Sequence, residues 1–134
     1  MRAFLALSLI AASLGSHAGT PAQIMQNYTS EAVANQPGFT PSAKRGEKLF
    51  RERFPVSEKM PACTSCHTES PLGAGQHVVT GKSIRPLAVA ANGDRFSDRA
   101  KVEKWFARNC KEVVGRSCSP AEKADFTAYM SEAR

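Results

Sequence analysis

An all-α domain is what this sequence predicts. Strand signals are weak throughout, with no sustained alternation of apolar and polar residues. Helix-opening signals recur instead: Thr20-Pro21, Thr40-Pro41 and Ser119-Pro120-Ala121-Glu122 each set a capping side chain beside a Pro suited to a first turn. Apolar residues then fall at helical spacing, as Phe126, Tyr129, Met130 and Ala133 do at i, i+3, i+4 and i+7.

The chain opens with Met1-Arg2, an apolar run from Ala3 to Leu14, and the small-x-small end Ser16-His17-Ala18. That pattern is a secretory signal peptide over residues 1–18. Residues 19–40 form an N-terminal helical extension, with a helix from Ala22 to Ala34 that the Pro and Gly of 35–38 break. A second helix runs from Thr40-Pro41 to about Arg53 and presents Gly46, Leu49 and Phe50 on one side. Residues 54–62 connect. Residues 70–93 carry four Gly and two Pro and read as a long loop, a length that is usually functional. Ser97 or Asp98 caps a third helix through about Cys110, and Ser119 opens the last.

The 134 residues carry 18 basic and 12 acidic side chains, a net +6. Removing residues 1–18 takes away Arg2 alone, leaving +5. A moderately basic surface suits an acidic redox partner. No basic stripe interleaved with aromatics points to nucleic acid. No second apolar stretch reaches membrane-spanning length, so stable membrane insertion is not expected.

Chemistry concentrates in Cys63-Thr64-Ser65-Cys66-His67. A Cys-x-x-Cys-His run is the attachment signature of c-type haem: Cys63 and Cys66 form thioethers with the vinyl groups, and His67 is the proximal iron ligand. A thioredoxin-like pair would follow a strand in a βαβ unit, and none is visible. A zinc site completed by Cys110 and Cys118 has poor spacing for a second knuckle. One haem c uses two of the four cysteines. Exported to an oxidising periplasm, the remaining pair Cys110–Cys118 is expected as a disulfide.

Helices wrapped around one covalent haem resemble the class I cytochrome c fold, here over residues 41–134. In that fold the first and last helices cross closely, which gives Gly46 a reason to be Gly, with Phe50 and Tyr129 as aromatic neighbours. The resemblance makes Pro86 the proline whose carbonyl accepts the proximal His Nδ1–H. Arg85, Arg95, Arg99 and Trp105 are candidates to neutralise or hydrogen-bond the haem propionates.

The second axial ligand is the open question. A class I carrier uses a Met before the last helix, but no Met lies between His67 and Met130. Met130 sits on a predicted core face, Met60 is three residues before Cys63, and His77 lies in the loop. On the third helix Val102, Trp105, Phe106, Asn109 and Val113 share about 100° of arc. Asn109 sits mid-face, where its amide needs a backbone group, a propionate or the iron.

The segments Lys82-Ser83-Ile84-Arg85-Pro86-Leu87-Ala88, Arg95-Phe96-Ser97-Asp98, Lys101 to Cys110 with its Trp105-Phe106-Ala107-Arg108-Asn109-Cys110 core, Gly115-Arg116-Ser117-Cys118 and Glu122-Lys123 resemble the sphaeroides haem protein (SHP) family. The likeness covers roughly residues 41–134. It implies Asn109 as a displaceable distal iron ligand, a Cys110–Cys118 disulfide, and O2, NO or CO bound after reduction. It also implies a dihaem cytochrome c as electron donor. Two other functions stand beside this one: a plain electron carrier, and an enzyme acting on small oxygen or nitrogen species. No polar distal acid/base pair is visible, which weighs against dedicated catalysis.

Overall fold

The computed structural model describes residues 19–134, so the expected signal peptide lies outside the described residues. Helix α1 spans Pro21–Asn35, and its start follows from local chemistry. The Thr20 hydroxyl accepts from the Gln23 N–H at 3.2 Å, and the Gln23 side chain accepts from the Thr20 N–H at 2.8 Å. This reciprocal cap satisfies two donors that no helix can satisfy internally.

Helix α2 is Ala43–Arg51, capped by Ser42 rather than Thr40 and ending two residues before Arg53. Both Thr40 and Ser42 are capping residue types, and a distant carboxylate decides between them. Asp125 accepts the Ser42 N–H at 2.7 Å and also binds Arg45 Nε at 2.7 Å. The single turn α3 is Thr64–His67.

The loop of 70–93 is not wholly irregular. It holds an antiparallel hairpin of β1, Gly75–Gln76, and β2, Ser83–Ile84, with Gly75 opposite Ile84. Strands of two residues are too short to show a period in sequence. Helix α4 is Arg99–Asn109, with Asp98 accepting the Lys101 N–H at 3.0 Å as its cap. It runs straight into a π-helical turn, Cys110–Val114, which ends at Gly115 in the left-handed conformation. Helix α5, Pro120–Glu132, opens with the expected Ser119–Glu122 capping box.

The architecture is all-α, with α5 as the central element against which both α1 and α2 pack. At the α2–α5 crossing a methyl group on Gly46 would collide with the Asp125 carbonyl and lie 2.9 Å from Tyr129 Cβ. A continuous aromatic set fills the core. Ring centroids are 5.8 Å apart for Tyr28–Phe106, 5.6 Å for Phe106–Phe126, 6.2 Å for Phe50–Phe126 and 5.8 Å for Phe50–Tyr129. Ile24, Tyr28 and Ala32 of α1 are buried in this same core.

Candidate haem-binding site

Cys63 and Cys66 take part in no disulfide and are both half-buried, on and just before the single turn α3. Backbone bonds from the Cys66 and His67 N–H groups to the Cys63 carbonyl, at 3.3 and 3.1 Å, close that turn. It places the two thiols and the imidazole on consecutive rungs of one short helix. Burial pushes the Cys63 thiol up to about 11. Burial, with Arg95 and His77 nearby, lowers His67 to about 4, so its ring is neutral and keeps a lone pair for a metal. Immediately afterwards the chain reverses at Thr68, whose φ of 62° is unusual for a β-branched residue. Its hydroxyl donates to the Ser70 carbonyl at 2.9 Å.

The hairpin packs directly on this turn. A methyl on Gly75 would collide with the Cys66 carbonyl and lie 3.0 Å from His67 Cα. His77 closes the hairpin: its Nδ1 accepts from the N–H groups of Val79 and Thr80, at 3.2 and 3.3 Å.

Asn109 is the last residue of α4 and is half-buried. Its carboxamide has no hydrogen-bond partner among the described residues, unlike the buried Asn92, which has two. Phe106 and, in the π turn that follows, Val113 are buried and Val102 is half-buried, as the predicted face requires. Trp105 departs from it. It is 41 % exposed, with the Arg108 guanidinium 5.8 Å from its ring. The arc that contains both Trp105 and Phe106 is wider than the strip buried on the core.

The Cys110–Cys118 bridge is formed, with Cα atoms 5.7 Å apart, and it removes both cysteines from any zinc site. It spans the π turn that begins right after Asn109. Met130 is fully buried in the core, and its carbonyl accepts the Val89 N–H at 2.9 Å. That is packing, as the apolar face of the last helix predicted.

On the other side of the motif, the Pro86 carbonyl accepts from Arg95 Nε at 2.8 Å and from Asn92 Nδ2 at 3.2 Å. No hydrogen bond joins it to the His67 ring among the described residues. Arg99, one of the propionate candidates, is paired instead with Glu31 of α1 at 2.7 Å. Arg95 is close enough to affect His67, and Arg85 lies beside Arg95. Asn92 was invisible as a site residue, because a polar residue beside Gly93 reads as loop. The π turn had no sequence signal at all.

The donor set fits a haem c. It supplies two adjacent thiols, a neutral imidazole beside them, an unpaired carboxamide on an apolar helix face, and arginines suited to carboxylates. The cradle at Gly75 leaves room for backbone only. The fold and this site define a monohaem c-type cytochrome. A family described as a domain of unknown function (DUF1924) matches residues 36–130. The cytochrome c-type protein SHP of Cereibacter sphaeroides is 44 % identical over 133 residues, 98 % of each chain. The structure of oxidized SHP, an oxygen binding cytochrome c, superposes with a TM-score of 0.76 at 43 % identity, over 84 % of this chain and 96 % of that one. A solution structure of cytochrome c'' of Methylophilus methylotrophus, concerned with haem-ligand detachment, gives 0.72 at 40 % identity, over 82 % and 90 %. The chain belongs to the SHP family of cytochromes and carries covalently bound haem c.

Proposed function

We propose that this protein is a periplasmic cytochrome that accepts an electron and then admits a diatomic gas, O2, NO or CO, at a position Asn109 gives up. Bound haem c would supply a redox-active iron. Cys63 and Cys66 hold the group covalently and His67 takes the proximal position. The Asn109 carboxamide oxygen, a hard and weak donor, takes the distal one in the oxidised state and leaves it on reduction. The disulfide next to it anchors the end of the helix that carries it. Residues 1–18 would export the chain, and a dihaem cytochrome c or a similar acidic redox protein would reduce it.

The observation that carries this reading is the Asn109 carboxamide, half-buried on an apolar face without a hydrogen bond to any of the described residues. A carboxamide engaged by no described side chain or backbone group is free to take a partner outside the polypeptide. Support also comes from the oxygen-binding relative, and from Met130, whose place in the core leaves it poorly suited to ligation. Optical spectra of the haem-loaded protein in both redox states, with and without CO, test the reading. The oxidised form should be low-spin and the reduced form high-spin and quick to take CO. A reduced form that stays low-spin and resists CO would overturn it.

A further inference from the structure

We propose that helix α1 positions the distal helix: Tyr28 and Glu31 hold α4 in place and so fix where Asn109 is presented. The proposal rests on Asn109 as the distal ligand, and it gives α1 a part in the site.

Four residues share one side of α4 and its end: Arg99, Glu103, Phe106 and Cys110, at i, i+4, i+7 and i+11. Each is tied to another element. Arg99 Nη2 meets Glu31 of α1 at 2.7 Å. Glu103 receives Lys123 Nζ of α5 at 2.8 Å. The Phe106 ring stands edge-on to Tyr28 of α1, with centroids 5.8 Å apart and planes at 87°. Cys110 is bridged to Cys118, just before α5. Lys123 Nζ also lies over two rings, 5.2 Å from the Tyr28 centroid and 5.8 Å from that of Phe106. Helices α1, α4 and α5 therefore meet at one ammonium group. The Lys123 side chain is only 17 % exposed, and a desolvated cation binds an aromatic face more strongly than a solvated one.

Helix α1 is itself firmly seated. Ile24, Tyr28 and Ala32 are buried at i, i+4 and i+8, and the helix packs along α5. Just before it, a methyl on Gly19 would lie 3.5 Å from the Ser97 carbonyl oxygen, next to the α4 cap.

Asn109 lies about a quarter-turn round from the tied stripe. It shares that side with Val102 and Trp105, both partly exposed. A carboxamide oxygen is too weak a donor to draw a helix into place, so packing has to set the geometry in advance. The disulfide fixes the helix end, and Tyr28 and Glu31 fix its body.

Three variants of the haem-loaded protein test this, Glu31→Gln, Tyr28→Leu and Tyr28→Phe, with Gly46→Ala at the α2–α5 crossing for comparison. One readout is the ratio of high-spin to low-spin ferric protein, taken from the haem absorption bands well below the unfolding range. The other is the midpoint of global unfolding. Glu31→Gln should raise the ratio by up to about fivefold, the worth of an exposed ion pair. Tyr28→Leu should raise it further. Tyr28→Phe keeps the ring and removes only a hydroxyl that has no hydrogen-bond partner among the described residues, so the wild-type ratio should return. Gly46→Ala should lower the midpoint and leave the ratio alone. Lower midpoints for Glu31→Gln and Tyr28→Leu with an unmoved ratio would overturn the proposal and leave α1 a stabiliser only. A ratio that rises equally in Gly46→Ala would overturn it too, since general loosening would then be the cause. Should Tyr28→Leu fail to accumulate, Glu31→Gln against Gly46→Ala decides. An Asn109→Ala protein with the wild-type ferric spectrum would instead remove the distal ligand, and this inference with it.

Discussion

Gly46 faces the backbone carbonyl of Asp125 across the α2–α5 crossing, and not even a methyl group fits between them. The same Asp125 grips the start of α2 through Ser42 and Arg45, so the two helices cannot slide apart to make room. Gly46→Ala should therefore destabilise the protein by about 1–3 kcal/mol, the usual cost of overpacking. Ala is the better helix former by about 1 kcal/mol, and the collision must exceed that gain. A thermal midpoint equal to or above that of the wild type would show that the crossing is looser than described.

The Cys110–Cys118 bridge closes a loop with a sequence separation of 8. Chain-entropy arguments give such a loop about 2.5 kcal/mol of stabilisation. The double variant Cys110→Ser/Cys118→Ser should lose roughly that amount in a denaturant titration. Its oxidised spectrum should also gain a high-spin fraction, because the helix end carrying Asn109 is no longer held. Lost stability with an unaltered spectrum would mean that the bridge only supports the fold.

Much of this was legible because the determinants are local. Thr20, Asp98 and Ser119 cap their helices through neighbours three residues away, and a cap with its partner at a fixed offset is readable from sequence. The start of α2 was misplaced because Asp125, 83 residues downstream, selects Ser42 over Thr40. The Cys63–His67 run and the Cys110–Cys118 pair could be read because covalent chemistry restricts residue type and spacing. Asn92 could not, since its partners Arg85 and Pro86 meet it only when the loop folds. Trp105 shares the apolar arc yet is 41 % exposed, because helical periodicity gives an angle and not an accessibility.

Gly75 is where the hairpin meets the Cys66 carbonyl. Gly75→Ala should push β1 away from α3 and disturb the turn that presents both thiols and His67. The expected result is less covalently attached haem per polypeptide, measured as haem absorbance against protein mass in the purified protein. Full haem incorporation with a wild-type spectrum would show that the hairpin yields without cost to the site.

Glu122 receives Arg116 at 2.8 and 2.6 Å and the Ser119 N–H at 2.8 Å. The Arg116 hydrogen bonds, with those of Ser119, hold its carboxyl below the ordinary glutamate value of 4.5. A depressed acid stabilises the fold fully above that value, and the contribution is lost below it as pH falls through the lower folded-state pKa. Glu122→Gln should cost about 1 kcal/mol near neutral pH. The gap to wild type should then narrow in melts run from about pH 6 down to pH 3. A gap that stays constant with pH would rule out the charge as its source.

Asn109→Ala tests the distal assignment directly. Alanine is the better helix former, and the residue ends α4 without a hydrogen bond to lose, so the fold should survive with full haem content. If the carboxamide holds the distal position, the oxidised spectrum should change to a high-spin or water-ligated form and the reduction potential should move. CO binding by the reduced protein should persist, because that state no longer uses Asn109. An oxidised spectrum identical to wild type at full haem occupancy would remove Asn109 as a ligand. His77→Ala would then be decisive, since His77 is the one other imidazole among the described residues besides His67. Its Nδ1 already serves the hairpin turn, so that variant should loosen residues 77–82 and leave the haem spectrum as it was.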